Sequence, residues 1–428
     1  MNRCLPQRRD ADRCPGVLAL HQAEDGWLAR IRLPGGRVSG SQLHDIAAVA
    51  AELGSGLVEI TGRANLQVRG LPGDAGAELA ERLAAAGLFP SAPHDRARNV
   101  LASPLAGRHP RSLGRTDAIV EALDRGIRAE PRLAELPGRF LIAVDDGTGL
   151  ALARGADLAL VATDGEGAAA FALLIAGTPA GEPVAAGDGA GLLLRAASAF
   201  LDARAEDDSA AWHLRELADG RERIAAAIDV RLRSEAGAGP LPDPATRPLL
   251  PGVLAQNDGR SAVTALAPLG RLELPTLRGL AELLAEREAE ARLSTSRTVT
   301  VVDLPSGEAT ALAAHLERLD LIVEPASGWA GLSACAGVGY CAKARLDVRD
   351  AARRRADVRR AGAPAEHWSG CERRCGQPAR VAAAVAPEDG SLAVDLDGER
   401  HFVRDVEAAH VALPSDSESH ATEEEVPL

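Results

Sequence analysis

Pro34-Gly35-Gly36-Arg37-Val38 returns 234 residues later as Pro268-Leu269-Gly270-Arg271-Leu272, and Thr61-Gly62-Arg63 returns at the same offset as Thr295-Ser296-Arg297. Between these motifs Leu43 and Ile46 fall on Leu277 and Leu280, and ahead of them Pro15-Gly16-Val17-Leu18 recurs as Pro251-Gly252-Val253-Leu254. A register that keeps turn residues and apolar positions together marks an internal duplication, which dictates the architecture before any fold is assigned. Leu57-Val58-Glu59-Ile60 and Leu66-Gln67-Val68-Arg69 alternate apolar and polar as half-buried strands do, with Gly62 available for the turn between them. Residues 75–87 and 277–291 are rich in Ala, Leu, Glu and Arg and predict amphipathic helices, while Phe140-Leu141-Ile142-Ala143-Val144 predicts a buried strand running into a turn at Asp145-Asp146-Gly147. Strands mixed with helices in a duplicated unit give an α+β class with pseudo-twofold symmetry, and a ligand is expected where the two similar surfaces converge.

The segment 231–250 between the copies is too rich in Pro and Gly for a helix or inner strand and reads as a linker. The expected organisation is a first repeat over 14–230, a second over 251–413, and an acidic, disordered tail over 414–428. The 428 residues carry 61 Asp plus Glu against 48 Lys plus Arg, a formal charge of −13, and aromatics are 2%. That balance argues against nucleic acid, lacking both the electrostatic attraction and the rings for stacking bases. The N-terminus has no apolar core of a signal peptide and no stretch approaches the ~18 apolar residues of a membrane span, so a cytoplasmic, membrane-free protein is expected.

Four of the six cysteines lie near the C-terminus: Cys335 and Cys341 with five residues between them, Cys371 and Cys375 with three. In a reducing compartment such a set points to a metal or redox centre. Four thiolates can hold one 4Fe-4S cluster, and Gly337, Gly339, Gly370 and Gly376 would let the backbone approach it. A zinc site of the same four cysteines is the alternative, although its pairs favour shorter spacings. Cys14 is read as a small buried residue at a turn, and Cys4 is given no role. Lys343 and Arg345 after Cys341 would either offset cluster charge or form a solvated face.

The cysteine pairs, the duplication, Thr61-Gly62-Arg63-Ala64-Asn65-Leu66-Gln67-Val68-Arg69-Gly70-Leu71, and Arg98-Asn99-Val100 with Pro104-Leu105-Ala106-Gly107 resemble the nitrite and sulfite reductase superfamily. The resemblance implies a ferredoxin-like half over 14–90, a reductase-like domain over 91–230, and a second repeat carrying the 4Fe-4S and tetrapyrrole site. Within the superfamily, Arg13-Cys14-Pro15-Gly16, Leu136-Pro137-Gly138-Arg139-Phe140 and Pro268-Leu269-Gly270-Arg271-Leu272 look most like the precorrin-3B synthases of aerobic cobalamin biosynthesis. A pair of lysines common in the reductases is matched here by Arg139 and Leu141, and the loss of a fixed cation argues against anion reduction. The resemblance therefore implies a monooxygenase that hydroxylates precorrin-3A with O2 and closes a lactone, passing electrons through the cluster. They would start from NADH and arrive by a partner reductase or ferredoxin, since no dinucleotide fingerprint is present. It also implies a non-haem iron, for which the histidines offer no metal spacing; His367, four residues before Cys371, is the nearest candidate, but it is read as a residue that supports ligands or packs. Sirohaem chemistry, as in a sulfite or nitrite reductase, and a non-catalytic iron-sulfur protein are the alternatives.

The tetrapyrroles of these families are rimmed by carboxylates, which call for arginine. The matching motifs nominate Arg63, Asn65, Gln67, Arg69 and Arg98, with Arg139 and, as the second-copy counterpart of Arg63, Arg297. Asn65 and Gln67 could equally satisfy backbone groups at a strand end. The second copy has no clear match to them, so an asymmetric site weighted to the first copy is expected.

Overall fold

β1 (His21–Ala23) turns back into β2 (Gly26–Ile31), where Ala29 and Ile31 are fully buried on one face while Arg30 and the following Arg32 project from the other. β3 (Arg37–Ser39) leads directly into α1 (Gly40–Glu52). That helix starts where it does because Ser39 Oγ accepts the Gln42 N–H and Gln42 Oε1 accepts the Ser39 N–H, a reciprocal capping box. β4 (Val58–Ile60), β5 (Leu66–Leu71) and α2 (Gly76–Ala85) complete the first half domain. An outer domain follows: β6 (Val100–Ala102), α3 (Asp117–Ala129), β7 (Ile142–Asp145), β8 (Leu158–Thr163), β9 (Ala170–Ile175), β10 (Thr178–Ala185), α4 (Ala186–Glu206) and α5 (Gly220–Ala227). The second copy repeats the plan with β11 (Gly252–Ala255), β12 (Ser261–Leu266), β13 (Arg271–Leu272), α6 (Leu274–Ala285), β14 (Glu290–Leu293), β15 (Thr298–Leu304) and α7 (Ala309–Arg318). Its outer domain comprises β16 (Leu332–Ala334), α8 (Val348–Val358), β17 (Glu366–Ser369), β18 (Ala382–Val385), β19 (Leu392–Leu396), β20 (Glu399–Val403) and α9 (Val406–Ala412). This computed structural model describes residues 12–164, 169–234, 242, 249–378, 381–387 and 391–415; Cys4, most of the 231–250 linker and all but two residues of the 414–428 tail lie outside them. Among the described residues no helix is long and apolar enough to cross a membrane.

Neither half-domain sheet is completed by its own copy. β13 pairs with β4 to give the order β1-β2-β5-β4-β13, with Arg271 opposite Glu59, and β3 pairs with β14 to give β11-β12-β15-β14-β3, with Val38 opposite Ala291. The repeated segments at 34–38 and 268–272 thus lead into exchanged strands. Gly36 (φ 71°) and Gly270 (φ 79°) are required by the exchange: a Cβ would lie 2.5 Å from Leu293 O in one case and 2.6 Å from Ile60 O in the other. One hydrophobic core runs through both halves, joining Leu43, Ile46 and Val68 to Leu277, Leu280 and Val301. The two outer sheets share a topology as well: β6, β7 and β8 are parallel with β9 and β10 antiparallel, and β16 to β20 follow the same pattern. The duplication and the α+β class therefore hold.

Two details differ from the sequence reading. The helix expected over 277–291 ends at Ala285, because Glu290–Leu293 are taken up by β14 between β15 and the incoming β3. The 234-residue offset also slips by one after that helix. Thr61 N–H donates to Asn65 O and Ala64 N–H to Thr61 O, whereas in the second copy Ser294 N–H donates to Thr298 O and Arg297 N–H to Ser294 O. Ala64 (φ 54°) and Arg297 (φ 61°) share the same left-handed position. Arg297 is thus the counterpart of Ala64, and Ser296 stands in the place of Arg63.

Ion pairs lock the second half domain onto the first outer domain: Arg108 Nη2 to Asp303 at 2.7 Å and Arg292 Nη1 to Asp117 at 2.8 Å. The Arg108 hydrogen bond holds the Asp303 carboxyl down to about 2 from 3.8. A depressed carboxylate contributes stability above its unfolded value and loses it as pH falls through its folded one. Asp303→Asn is accordingly expected to lower stability at neutral pH and to flatten its dependence on pH between 3.8 and 2, as measured by urea unfolding across that interval.

Candidate metal centre and anion site

Adjacent parallel strands β16 and β17 end side by side, and each hands its chain to a cysteine loop. Cys335 N–H extends the ladder to Trp368 O at 2.9 Å, Arg345 N–H ties the first loop to Gly370 O at 2.8 Å, and Gly370 N–H points at Cys335 Sγ at 3.2 Å. Gly337, Gly339 and Gly376 take positive φ, which closes the loops tightly. Burial raises Cys335 and Cys375; each is raised further by the other cysteines, so the four thiols lie within electrostatic reach of one another. Among the described residues no three His, Cys, Asp or Glu side chains form a single-ion cage. His367, expected as a packing residue, is fully buried with Nδ1 2.8 Å from Ser333 Oγ. Lys343 and Arg345 are exposed.

The only tyrosine of the chain, Tyr340, sits in the first cysteine loop. Its ring is faced by Arg349 (3.8 Å to the centroid), Arg271 (5.1 Å) and Arg69 (5.2 Å). Glu59 joins two of these, at 2.7 Å from Arg349 and 3.2 Å from Arg69. Arg69 also pairs with Asp25 at 2.6 Å and donates to Tyr340 O at 3.1 Å, so its guanidinium is committed to holding the loop. Removing one member of a buried pair leaves an uncompensated charge, typically costing about 3 to 5 kcal/mol. Glu59→Gln is expected to destabilise by about that much, read by denaturant unfolding, and to loosen the first cysteine loop, read by faster proteolysis there.

The other nominated residues divide. Asn65 is buried, accepts Leu33 N–H at 2.9 Å and donates to Asn99, which is a structural role at the strand end. Gln67 bridges Arg30 and Glu59. Arg98 pairs with Asp124 on α3 at 2.6 Å. Arg139 is half-exposed, stacks 4.6 Å over Trp212 and reaches Asp12. Arg63 and Arg297 instead join three arginines that sequence reasoning missed, Arg30, Arg32 and Arg154. Arg32 bonds Asn99 Oδ1 and Gly138 O, Arg63 reaches Gly138 O at 3.5 Å, Arg154 donates to Gly376 O at 3.2 Å and Arg297 to Ala334 O at 3.4 Å.

None of these five guanidiniums forms an ion pair among the described residues, and the Nε atoms of Arg30 and Arg32 are buried without a partner. Burial, then neighbouring positive charge, lowers Arg63 and Arg154 each to about 10; burial also lowers Arg30 and Arg297. The electrostatic contacts run in sequence: Arg30 and Arg32 with Arg63, Arg63 with Arg154, Arg154 with Arg297, and Arg297 with Cys335. A row of positive charge that forms no carboxylate ion pair among the described residues, with Cys14 at one end and Glu59 acting on Arg297 at the other, leads from the first half domain to the cysteine loops. Where the second half domain meets the first outer domain, Arg292 and Arg108 are instead neutralised by Asp117 and Asp303.

A family model described as the nitrite/sulfite reductase ferredoxin-like half domain matches residues 21–86 and 254–319. Both matched segments thus resemble that half domain, and each carries the same ferredoxin-like plan. The similarity extends beyond these reductase-type halves. A ferredoxin–nitrite reductase of Synechococcus elongatus is 27% identical over 405 residues, covering 87% of this chain and 79% of the relative. A ferredoxin sulfite reductase 2 of Mycolicibacterium paratuberculosis is 25% identical over 398 residues, covering 87% and 71%. The structure of the Mycobacterium tuberculosis NirA protein matches with a TM-score of 0.71 at 21% identity, over 88% of this chain and 77% of that one, a likeness of fold. These relatives agree with an oxidoreductase and overturn the expected monooxygenase, together with precorrin-3A and O2 as its substrates. The argument from missing cations loses one of its two positions as well: Leu141 is 1% exposed within the core and does not line a cleft.

Proposed function

We propose that the chain is a ferredoxin-dependent reductase of the nitrite or sulfite class. Cys335, Cys341, Cys371 and Cys375 would hold a 4Fe-4S cluster, and the arginine row would hold the carboxylates of a sirohaem-type tetrapyrrole. The observation that carries this reading is the row itself: five guanidiniums, Arg32 buried and the other four half-buried, that form no carboxylate ion pair among the described residues and lead to four thiols within electrostatic reach of one another. Uncompensated buried charge is costly, and a polyanionic ligand removes that cost. Cysteine pairs with five and three residues between them, one sulfur receiving a backbone N–H, suit a cubane better than the shorter-spaced pairs of zinc sites. When bound, the two groups supply one-electron transfer and a coordination site for a small oxyanion. The arginines orient carboxylates and stabilise negative charge; guanidinium holds its proton too tightly to donate it. Lys343, Arg345 and Arg373, exposed on the cysteine loops, give an acidic electron donor a complementary face.

The test is anaerobic purification, metal and acid-labile sulfide analysis, a visible spectrum, and assay with reduced ferredoxin plus nitrite or sulfite. The expected result is about four irons and about four sulfides per chain in the cluster, an intense haem-type band, and oxidation of ferredoxin that depends on the oxyanion. Zinc without sulfide, or failure to take up sirohaem, would overturn the reading.

A further inference from the structure

Cys14 lies at the far end of the arginine row from the cysteine loops and is 5% exposed. Arg30 Nη1 and Arg32 Nη2 each donate to its Sγ at 3.2 Å. A neutral thiol is a weak acceptor, so two guanidinium donors directed at one sulfur describe a thiolate. The other bonds of these arginines go to neutral groups: Gln67 Oε1 from Arg30, Asn99 Oδ1 and Gly138 O from Arg32. We propose that the Cys14 thiolate occupies the place of a ligand carboxylate between Arg30 and Arg32, and takes up a proton when a carboxylate docks there. This deepens, and rests on, the tetrapyrrole reading above.

The charges facing the sulfur come from every neighbouring element. Arg30 lies on β2 and Arg32 directly after it, and Arg63 acts on the sulfur from the β4–β5 turn; Arg139, before β7, reaches Asp12, and Arg96, before β6, donates to Asp12 O. Against them stand Asp12, which accepts the Cys14 N–H at 2.9 Å, and Asp95, which accepts Val17 N–H at 2.7 Å. Burial opposes ionisation of Cys14, but Arg32 and Arg30 outweigh it and hold the thiol below its ordinary value. A carboxylate that takes over the two guanidinium bonds places a second anion beside the sulfur and removes its stabilising donors. The S–H bond then re-forms with a proton from solvent, and no other bond changes. Binding with proton uptake weakens as pH rises: above the thiolate's own pKa, affinity falls by about tenfold per pH unit.

The experiment uses the full chain, cluster-loaded and free of tetrapyrrole, with uroporphyrin, a macrocycle rimmed by acetate and propionate, as the probe. Ultraviolet thiolate absorbance, taken as wild type minus Cys14→Ser, should titrate below the ordinary ~8.5 of a free cysteine. Uroporphyrin should abolish that signal at neutral pH, protect Cys14 from alkylation in a mass map, and take up close to one proton by calorimetry in buffers of differing ionisation heat. Cys14→Ser should bind without the pH dependence. If that variant does not fold, alkylation mapping of the wild type against pH gives the same titration. An ordinary or elevated thiol titration, or binding that leaves Cys14 ionised, overturns the inference. Uroporphyrin binding without proton uptake refutes the Cys14 role and leaves the tetrapyrrole reading standing. A low-titrating Cys14 with no binding in either protein refutes both the tetrapyrrole reading and the displacement that depends on it.

Discussion

Cys335→Ser is expected to yield a chain that folds but carries neither cluster iron nor acid-labile sulfide, with ferredoxin-dependent reduction of the oxyanion down by more than about a hundredfold, since even supporting residues around a metal cost up to that much. Serine keeps the backbone bond to Trp368 O and offers Gly370 N–H a hydroxyl in place of the sulfur, but it replaces a soft ligand by a shorter, harder oxygen. The core shared by the half domains contains no residue of the cysteine loops, so thermal unfolding should retain its main transition. Sulfide analysis decides the matter: a variant with full sulfide and full activity would remove Cys335 from the ligand set.

The second large effect has opposite signs in the free and loaded proteins. Arg63 is half-buried, forms no carboxylate ion pair among the described residues and has only a long contact to Gly138 O. Arg63→Gln should therefore raise the stability of the tetrapyrrole-free protein in urea, because a charge that costs free energy to bury has gone. In titrations with sirohaem the same change should weaken binding by about 10- to 100-fold, the worth of a charge-assisted hydrogen bond of about 1.5–3 kcal/mol. A fall in stability with unchanged affinity would make Arg63 a purely structural residue.

The duplication was legible because the strand exchange forces glycine at 36 and 270, where any Cβ would collide with the other copy's backbone. Packing fixed Leu43 and Leu277 in the same way. The one-residue slip was not legible, since Thr-Gly-Arg and Thr-Ser-Arg align by residue type while the hydrogen bonds equate Thr61 with Ser294. The cysteines announced themselves by spacing, whereas the arginine row did so only in part. Arg30 and Arg32 carried a usable signal, two charges at period two on a strand whose other face is Ala29 and Ile31. Arg154 carried none, because its position beside Gly376 is created by the meeting of two outer domains. Asn65, Arg69 and Arg98 lie in recognisable motifs, yet a motif does not say whether a polar side chain faces a ligand or closes a turn, a loop or an ion pair.

The reciprocal strands at 37–39 and 271–272 also impose an order on synthesis. The first sheet emerges with β4 as an open edge and cannot gain its fifth strand until Arg271 and Leu272 have been made, while β3 waits unpaired for β14. Open edges invite wrong partners, and pairings so distant along the chain close slowly. The face that gathers the arginines is thus assembled late, when both copies are present. A cut between the copies would leave two fragments with complementary open edges, each the natural partner of the other.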